Sequence, residues 1–193
     1  MGFNDDNFLD DYEIQELINK FESQLESGMP LFFDADELNI ILEHYVQKND
    51  IPKINIIADL ASTYHEANPL TKLIMAKKYL SVQDAANALP YLLDESNNAD
   101  DPDYQLSLGY CYSLMDEHKK SLSAYKKAVK LLEKENCDDI YNSMAVEYMM
   151  LRDFERALHY FQKGIKASPD IAEQYAEITN CYFFLDRADE AIE

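Results

Sequence analysis

Five tyrosines, Tyr45, Tyr79, Tyr112, Tyr148 and Tyr182, follow one another at steps of 34, 33, 36 and 34 residues. The chain holds 14 tyrosines, so the columns beside this ladder decide whether it means anything. Four residues before each tyrosine stand Ile41, Met75, Leu108, Met144 and Ile178, all large and apolar. The next residues are Leu42, Ala76, Gly109, Ala145 and Thr179, small in four of five cases. Nine residues after each tyrosine come Ile54, Ala88, Ser121, Ala157 and Ala191, again small in four of five. Columns that keep one phase through five units mean internal duplication, and a period near 34 residues is that of stacked supersecondary units.

The units are helical. Glycine and proline number only 4 and 6, too few for the turns of an all-β sandwich. Ala, Leu, Glu, Lys and Met, the good helix formers, fill long stretches. The small columns have a packing reason. Where helices cross closely, only Gly, Ala or Ser lets the backbones approach to roughly 8 Å. An aromatic side chain of the facing column then fills the space beside the small residue.

The best unit reads Tyr141-Asn-Ser-Met144-Ala145-Val-Glu-Tyr148, then Ala157-Leu-His-Tyr-Phe161, Gly164 and Pro169. It resembles the tetratricopeptide-repeat family, whose pattern is W-x2-L-G-x2-Y, then A-x3-F, then P. Tyr141 stands for the tryptophan and Ala145 for the glycine. The preceding unit keeps Leu108-Gly109 and Tyr112, then Ser121-x3-Tyr125 and Ala128. The resemblance is weaker in the first unit, where Leu42 and Ile54 fill columns that are usually small. It implies an all-α fold, a solenoid of antiparallel helix pairs wound into a right-handed superhelix, with about four and a half repeats over residues 34–193. Residues 1–33 lie outside the array. Ile14, Leu17, Ile18, Phe21 and Leu25 recur at helical spacing, and Ser27-Gly28-Met29-Pro30 ends that stretch. Residues 11–27 are therefore expected to be a capping helix, with a groove-occupying inhibitory helix as the alternative. Between units, Pro102 and Pro169 stop helices, and Asp100, Asp101, Asp103, Asp138 and Asp139 are expected as caps and first-turn charges.

Catalytic and cofactor chemistry finds no foothold in the residues. The glycines are scattered singly, so no phosphate loop exists, and His65-Glu66 lacks the second histidine of a zinc protease. His44, His118 and His159 read as surface or half-buried residues. The run Asn97 to Asp103 lacks the turn glycine and distal glutamate of a calcium loop. Three cysteines, Cys111, Cys137 and Cys181, fit neither a closed disulfide set nor a zinc spacing, and Cys111 and Cys181 read as small core residues. No enzyme activity, metal or cofactor is expected. Lys+Arg total 17 against Asp+Glu 37, a formal charge of −20 that repels nucleic-acid phosphates and anionic membranes. The acidic start has no secretory signal, and no apolar run has the length of a membrane span, so a cytoplasmic setting is expected.

What the resemblance implies instead is binding. In that family the first helices of successive units line a concave groove that takes protein or peptide ligands. Beside the packing columns runs a stripe at i, i+4, i+7. It holds Asn39 and Glu43, then Leu73, Lys77 and Leu80, then Leu106 and Tyr110. It goes on through Asn142, Val146 and Met149 to Asn180 and Phe183. A mostly uncharged strip with spaced asparagines suits an extended peptide or an amphipathic helix, with each Asn pairing to ligand amides. Lys77 is the only base in it, which departs from the subclass that clamps acidic tails with several Lys and Arg. The expected function is a non-enzymatic protein- or peptide-binding scaffold with a basic or amphipathic partner. A peptide-sensing regulatory module and a self-associating structural solenoid are the alternatives. The fifth unit stops at Glu193 after barely two turns of its second helix. The chain is therefore expected either to be a piece of a longer repeat protein or to form a homodimer through that open C-terminal end.

Overall fold

The computed structural model describes residues 11–94, 100–133, 137–167, 172–187 and 189. These form ten helices and no strand. In chain order they are α1 (Asp11–Ser27), α2 (Ala35–Gln47), α3 (Ile51–Tyr64), α4 (Pro69–Leu80) and α5 (Ala85–Leu92). There follow α6 (Pro102–Leu114), α7 (His118–Leu131), α8 (Asp138–Met150), α9 (Phe154–Ala167) and α10 (Ala172–Phe184). The Asn97–Ala99 part of the acidic loop, Pro169 and Ala191 lie outside the described residues.

Side-chain caps start most of these helices. Asp34 and Glu37 form a reciprocal capping box on α2. Asp50 caps α3, Asn68 precedes Pro69 on α4, and Asp84 caps α5. Asp101 takes the backbone N–H groups of Asp103 and Tyr104, with Pro102 at the position that needs no donor. The expectation for α8 needs correcting. Its cap position is Cys137, which makes no side-chain cap bond, so Asp138 and Asp139 supply first-turn charge only. The brevity of α5 follows from Pro90, whose missing N–H breaks the ladder two residues before the helix ends.

The turns between paired helices repeat as faithfully as the tyrosines. Asn49, Gln83, Asp116, Arg152 and Asp186 all have left-handed backbones, with φ between 52° and 59°. Each lies four residues after a ladder tyrosine. In four cases the third residue beyond the helix donates its N–H to that tyrosine's carbonyl: Asp50 to Tyr45 (3.0 Å), Glu117 to Tyr112 (2.9 Å), Asp153 to Tyr148 (2.8 Å) and Arg187 to Tyr182 (2.9 Å). This is the Schellman closure, which satisfies the last carbonyls of a helix. The residue after the corner, Asp50, Asp84 or Asp153, then caps the next helix. Gly28 (φ 67°) closes α1 in the same way, with Met29 donating to Gln24 at 3.1 Å.

Two compact units divide the chain, Met1–Val82 and Gln83–Glu193. In the first, Leu17, Ile18 and Phe21 of α1 share a core with Leu38, Ile41, Leu42 and Tyr45 of α2 and Ile54, Ile57 and Ala61 of α3. Polar bonds reinforce it. The Tyr45 hydroxyl donates to Glu22 (2.9 Å), and the Lys53 ammonium donates to the same oxygen (3.1 Å). In the second unit, Leu122 and Tyr125 of α7 pack with Met144, Ala145 and Tyr148 of α8, Ala157 and Phe161 of α9, and Cys181 of α10. The duplicated columns are the contact points: Ala76, Ala88, Ser121, Ala145 and Ala157 are all fully buried. At Gly109 a β-carbon would lie 2.5 Å from the Tyr125 ring, so the aromatic does occupy the space beside the small column.

Candidate functional site

The stripe residues lie on the first helix of each pair. In the first unit the fold joins three of them. The Lys77 ammonium on α4 donates to Asn39 Oδ1 (3.2 Å) and pairs with the Glu43 carboxylate, both on α2. The lone base of the stripe is therefore neutralised within the protein. Leu73 and Leu80 are buried, which removes them from the set of ligand contacts. Their apolar character serves packing instead.

In the second unit the stripe divides by exposure. Tyr110 on α6, Val146 on α8 and Phe183 on α10 are exposed by 40%, 46% and 73%. Leu106 and Met149 are partly buried against the core. The next residue, Met150, is the exposed one, by 59%. Its signal was present, since Met150 continues Val146 at i+4 while Met149 continues Asn142 at i+7.

The asparagines do not form the expected ladder of ligand-binding amides. Asn39 receives Lys77. Asn142 turns its Oδ1 against Gly164 of α9, where a β-carbon could not fit, and that oxygen is buried without a hydrogen-bond partner. Asn180 is exposed and donates to Glu177 at 3.4 Å. The face is therefore apolar and aromatic rather than amide-studded.

The three cysteines are buried, and burial raises each thiol, Cys181 to about 11, so none is an activated nucleophile. His118 is half-buried, as expected, and has a partner. Its Nδ1 lies 2.8 Å from Oε2 of Glu147, a carboxylate only 2% exposed on α8. His118 opens α7, so this contact joins neighbouring helix pairs. No helical spacing could reveal it, because 29 residues separate the partners. Among the described residues, no group of three or more His, Cys, Asp or Glu could hold a metal ion. Nor is any described helix long and apolar enough to cross a membrane.

Comparison with known proteins agrees with this arrangement. The tetratricopeptide-repeat model matches residues 102–133 and 138–171, the α6–α7 and α8–α9 pairs. Two tetratricopeptide repeats are thus matched in sequence, within residues 102–171. The fold is the tetratricopeptide-type α-solenoid of several solved structures. MamA is 20% identical over 84% of this chain and 91% of its own, with a TM-score of 0.63. A thermophilic TPR protein of Thermus thermophilus is 16% identical over 89% and 92%, with a TM-score of 0.67. BtubC from P. vanneervenii is 11% identical over 93% and 87%, with a TM-score of 0.62. Likeness at these identities concerns the fold alone. No curated protein matches the sequence.

Proposed function

We propose that this chain is a non-enzymatic scaffold that holds a protein or peptide on the first helices of its second unit. The observation that carries the reading is the exposure of Tyr110, Val146, Met150 and Phe183 on α6, α8 and α10 of a chain with charge −20. Large apolar side chains kept in water on one helix layer are typical of an interaction surface. The anchors suit an amphipathic helix or an extended peptide with aliphatic and aromatic side chains. Basic flanks on such a partner would gain from the acidic surroundings. A cytoplasmic setting belongs to the same reading, as does α1 acting as the cap of the array, since Leu17, Ile18 and Phe21 cover α2 and α3. The test is affinity purification with mass spectrometry, using the native chain and a Tyr110→Ser, Val146→Ser, Phe183→Ser variant. A partner retained by the first and lost by the second, at equal thermal midpoint, supports the reading. Equal retention places the interface elsewhere.

A second reading has its own observation. Tyr175, Phe183 and Phe184 on α10 are exposed by 50%, 73% and 56%, which suits pairing with a second copy. Native mass across concentration, for the native chain and Phe184→Ser, separates self-association from capture of another protein.

A further inference from the structure

The outer face of α7 carries a charge pattern opposite to the rest of the chain. Lys119, Lys120, Lys126, Lys127 and Lys130 are five of the 17 basic residues, and no acid lies between His118 and Leu131. All five are exposed, together with Ser123 between them. Positions 119, 123, 126, 127 and 130 fall on one helical face, because residues three and four apart are neighbours. The opposite face, Ser121, Leu122, Ala124, Tyr125 and Ala128, is buried. The stripe runs about 16 Å along the helix at 1.5 Å per residue.

Two of the lysines are held against the protein. Lys120 pairs with Glu117 (3.3 Å) and lies over the Tyr112 ring, and Lys126 lies over the Tyr148 ring. Lys119, Lys127 and Lys130 make no ion pair with any described residue, although the chain has 37 acids. Lys126 and Lys127 stand four and three residues before Lys130, so like charges adjoin. That arrangement disfavours an isolated helix, where alternating Glu and Lys would support it.

We propose that the outer face of α7 is a docking site for a short acidic segment of a partner protein, separate from the apolar face on α6, α8 and α10. The scale of the stripe selects that occupant over a duplex or a membrane. Charges interact over about 10 Å at 0.1 M salt. An acidic segment of about five extended residues, at roughly 3.3 Å each, spans the stripe and meets lysines only. A nucleic-acid duplex or an anionic bilayer would extend onto the surrounding acidic surface and be repelled.

The test uses the full chain and a fluorescein-labelled oligoglutamate peptide, read by anisotropy across salt concentration. The native chain is expected to bind at low salt and to release the peptide as salt rises. Lys119→Glu, Lys127→Glu, Lys130→Glu should lose at least about tenfold in affinity. Lys48→Glu, at the C-cap of α2, should leave it unchanged. Where charge reversal disturbs folding, the three Lys→Gln changes carry the test, and the Lys→Arg set should restore binding. No binding by the native chain at low salt overturns the proposal, as does binding that survives reversal. Equal or tighter binding to phosphatidylserine vesicles or duplex RNA also overturns it, by replacing the acidic protein segment as occupant.

Discussion

Five left-handed corner residues, none of them glycine, carry a conformation that L side chains adopt at a cost of about 1–2 kcal/mol. Asn and Asp offset part of that cost through local hydrogen bonding, whereas Arg152 has no such means. Arg152→Gly is therefore expected to stabilise the protein by about 0.5–1 kcal/mol, the gain being reduced by the freedom glycine adds to the unfolded chain. Asn49→Gly should change little. Urea midpoints of the two variants check the ranking; a destabilised Arg152→Gly would mean the side chain has a role beyond the turn. At His118 the sign is opposite. His118→Ala strips the buried Glu147 carboxylate of its partner, which should cost about 2 kcal/mol. His118→Asn places an amide where Nδ1 was and should lose less than half as much. Equal losses for Ala and Asn would show that packing, not the hydrogen bond, sets the effect.

Helix placement was legible because it is written in spacing, and α1 was read to its limits, 11–27, from five apolar residues and Gly28. The corners were not, because the usual glycine signal is replaced by Asn, Gln, Asp, Arg and Asp, visible only once the tyrosine ladder is extended by four residues. The candidate site was legible as a strip of positions but not as a set of contacts. Lys77 meeting Asn39 and Glu43, or Asn142 meeting Gly164, depends on which neighbour a side chain finds, and that is a property of packing between helices. At the level of elements, α1–α3 should also be acid-sensitive. The Lys53 and Tyr45 hydrogen bonds hold the Glu22 carboxyl below the usual carboxylate range, and burial followed by the Lys48 charge holds His44 below the usual imidazole range. Both folded values are lowered, so both contributions are complete above the unfolded values, about 6.5 for His and 4.3 for Glu. They are lost as pH falls through the folded ones. Hydrogen-exchange protection of α1–α3, relative to the intrinsic rate at each pH, should fall below about pH 6.5 and again near pH 4. His44→Gln should flatten the first step and Glu22→Gln the second. Glu22 is 40% exposed, so its step should stay below about 1 kcal/mol.

Across the whole molecule, stability in a repeat array is a sum of unit terms and nearest-neighbour interfaces, so damage should stay local. Gly109 tests this because the space for its missing side chain is already taken: a β-carbon would lie 2.5 Å and 2.6 Å from two atoms of the Tyr125 ring. Tyr125 is itself buried and packs in the core that α7 shares with α8 and α9. Gly109→Leu must therefore displace α6 from α7 or expel the ring, and overpacking of this kind costs about 2 kcal/mol or more. Gly109→Ala meets the same contact with its first atom and should lose most of that amount. The α1–α3 core contains neither residue and is built from α1, Phe33, α2, α3 and Ile74 of α4. Hydrogen exchange followed by mass spectrometry should show protection falling across α6, α7 and α8 in Gly109→Leu, while α1–α3 keeps its native rates at neutral pH. A uniform loss over both units would mean that the chain unfolds as one cooperative body, and the nearest-neighbour description would then not apply to it.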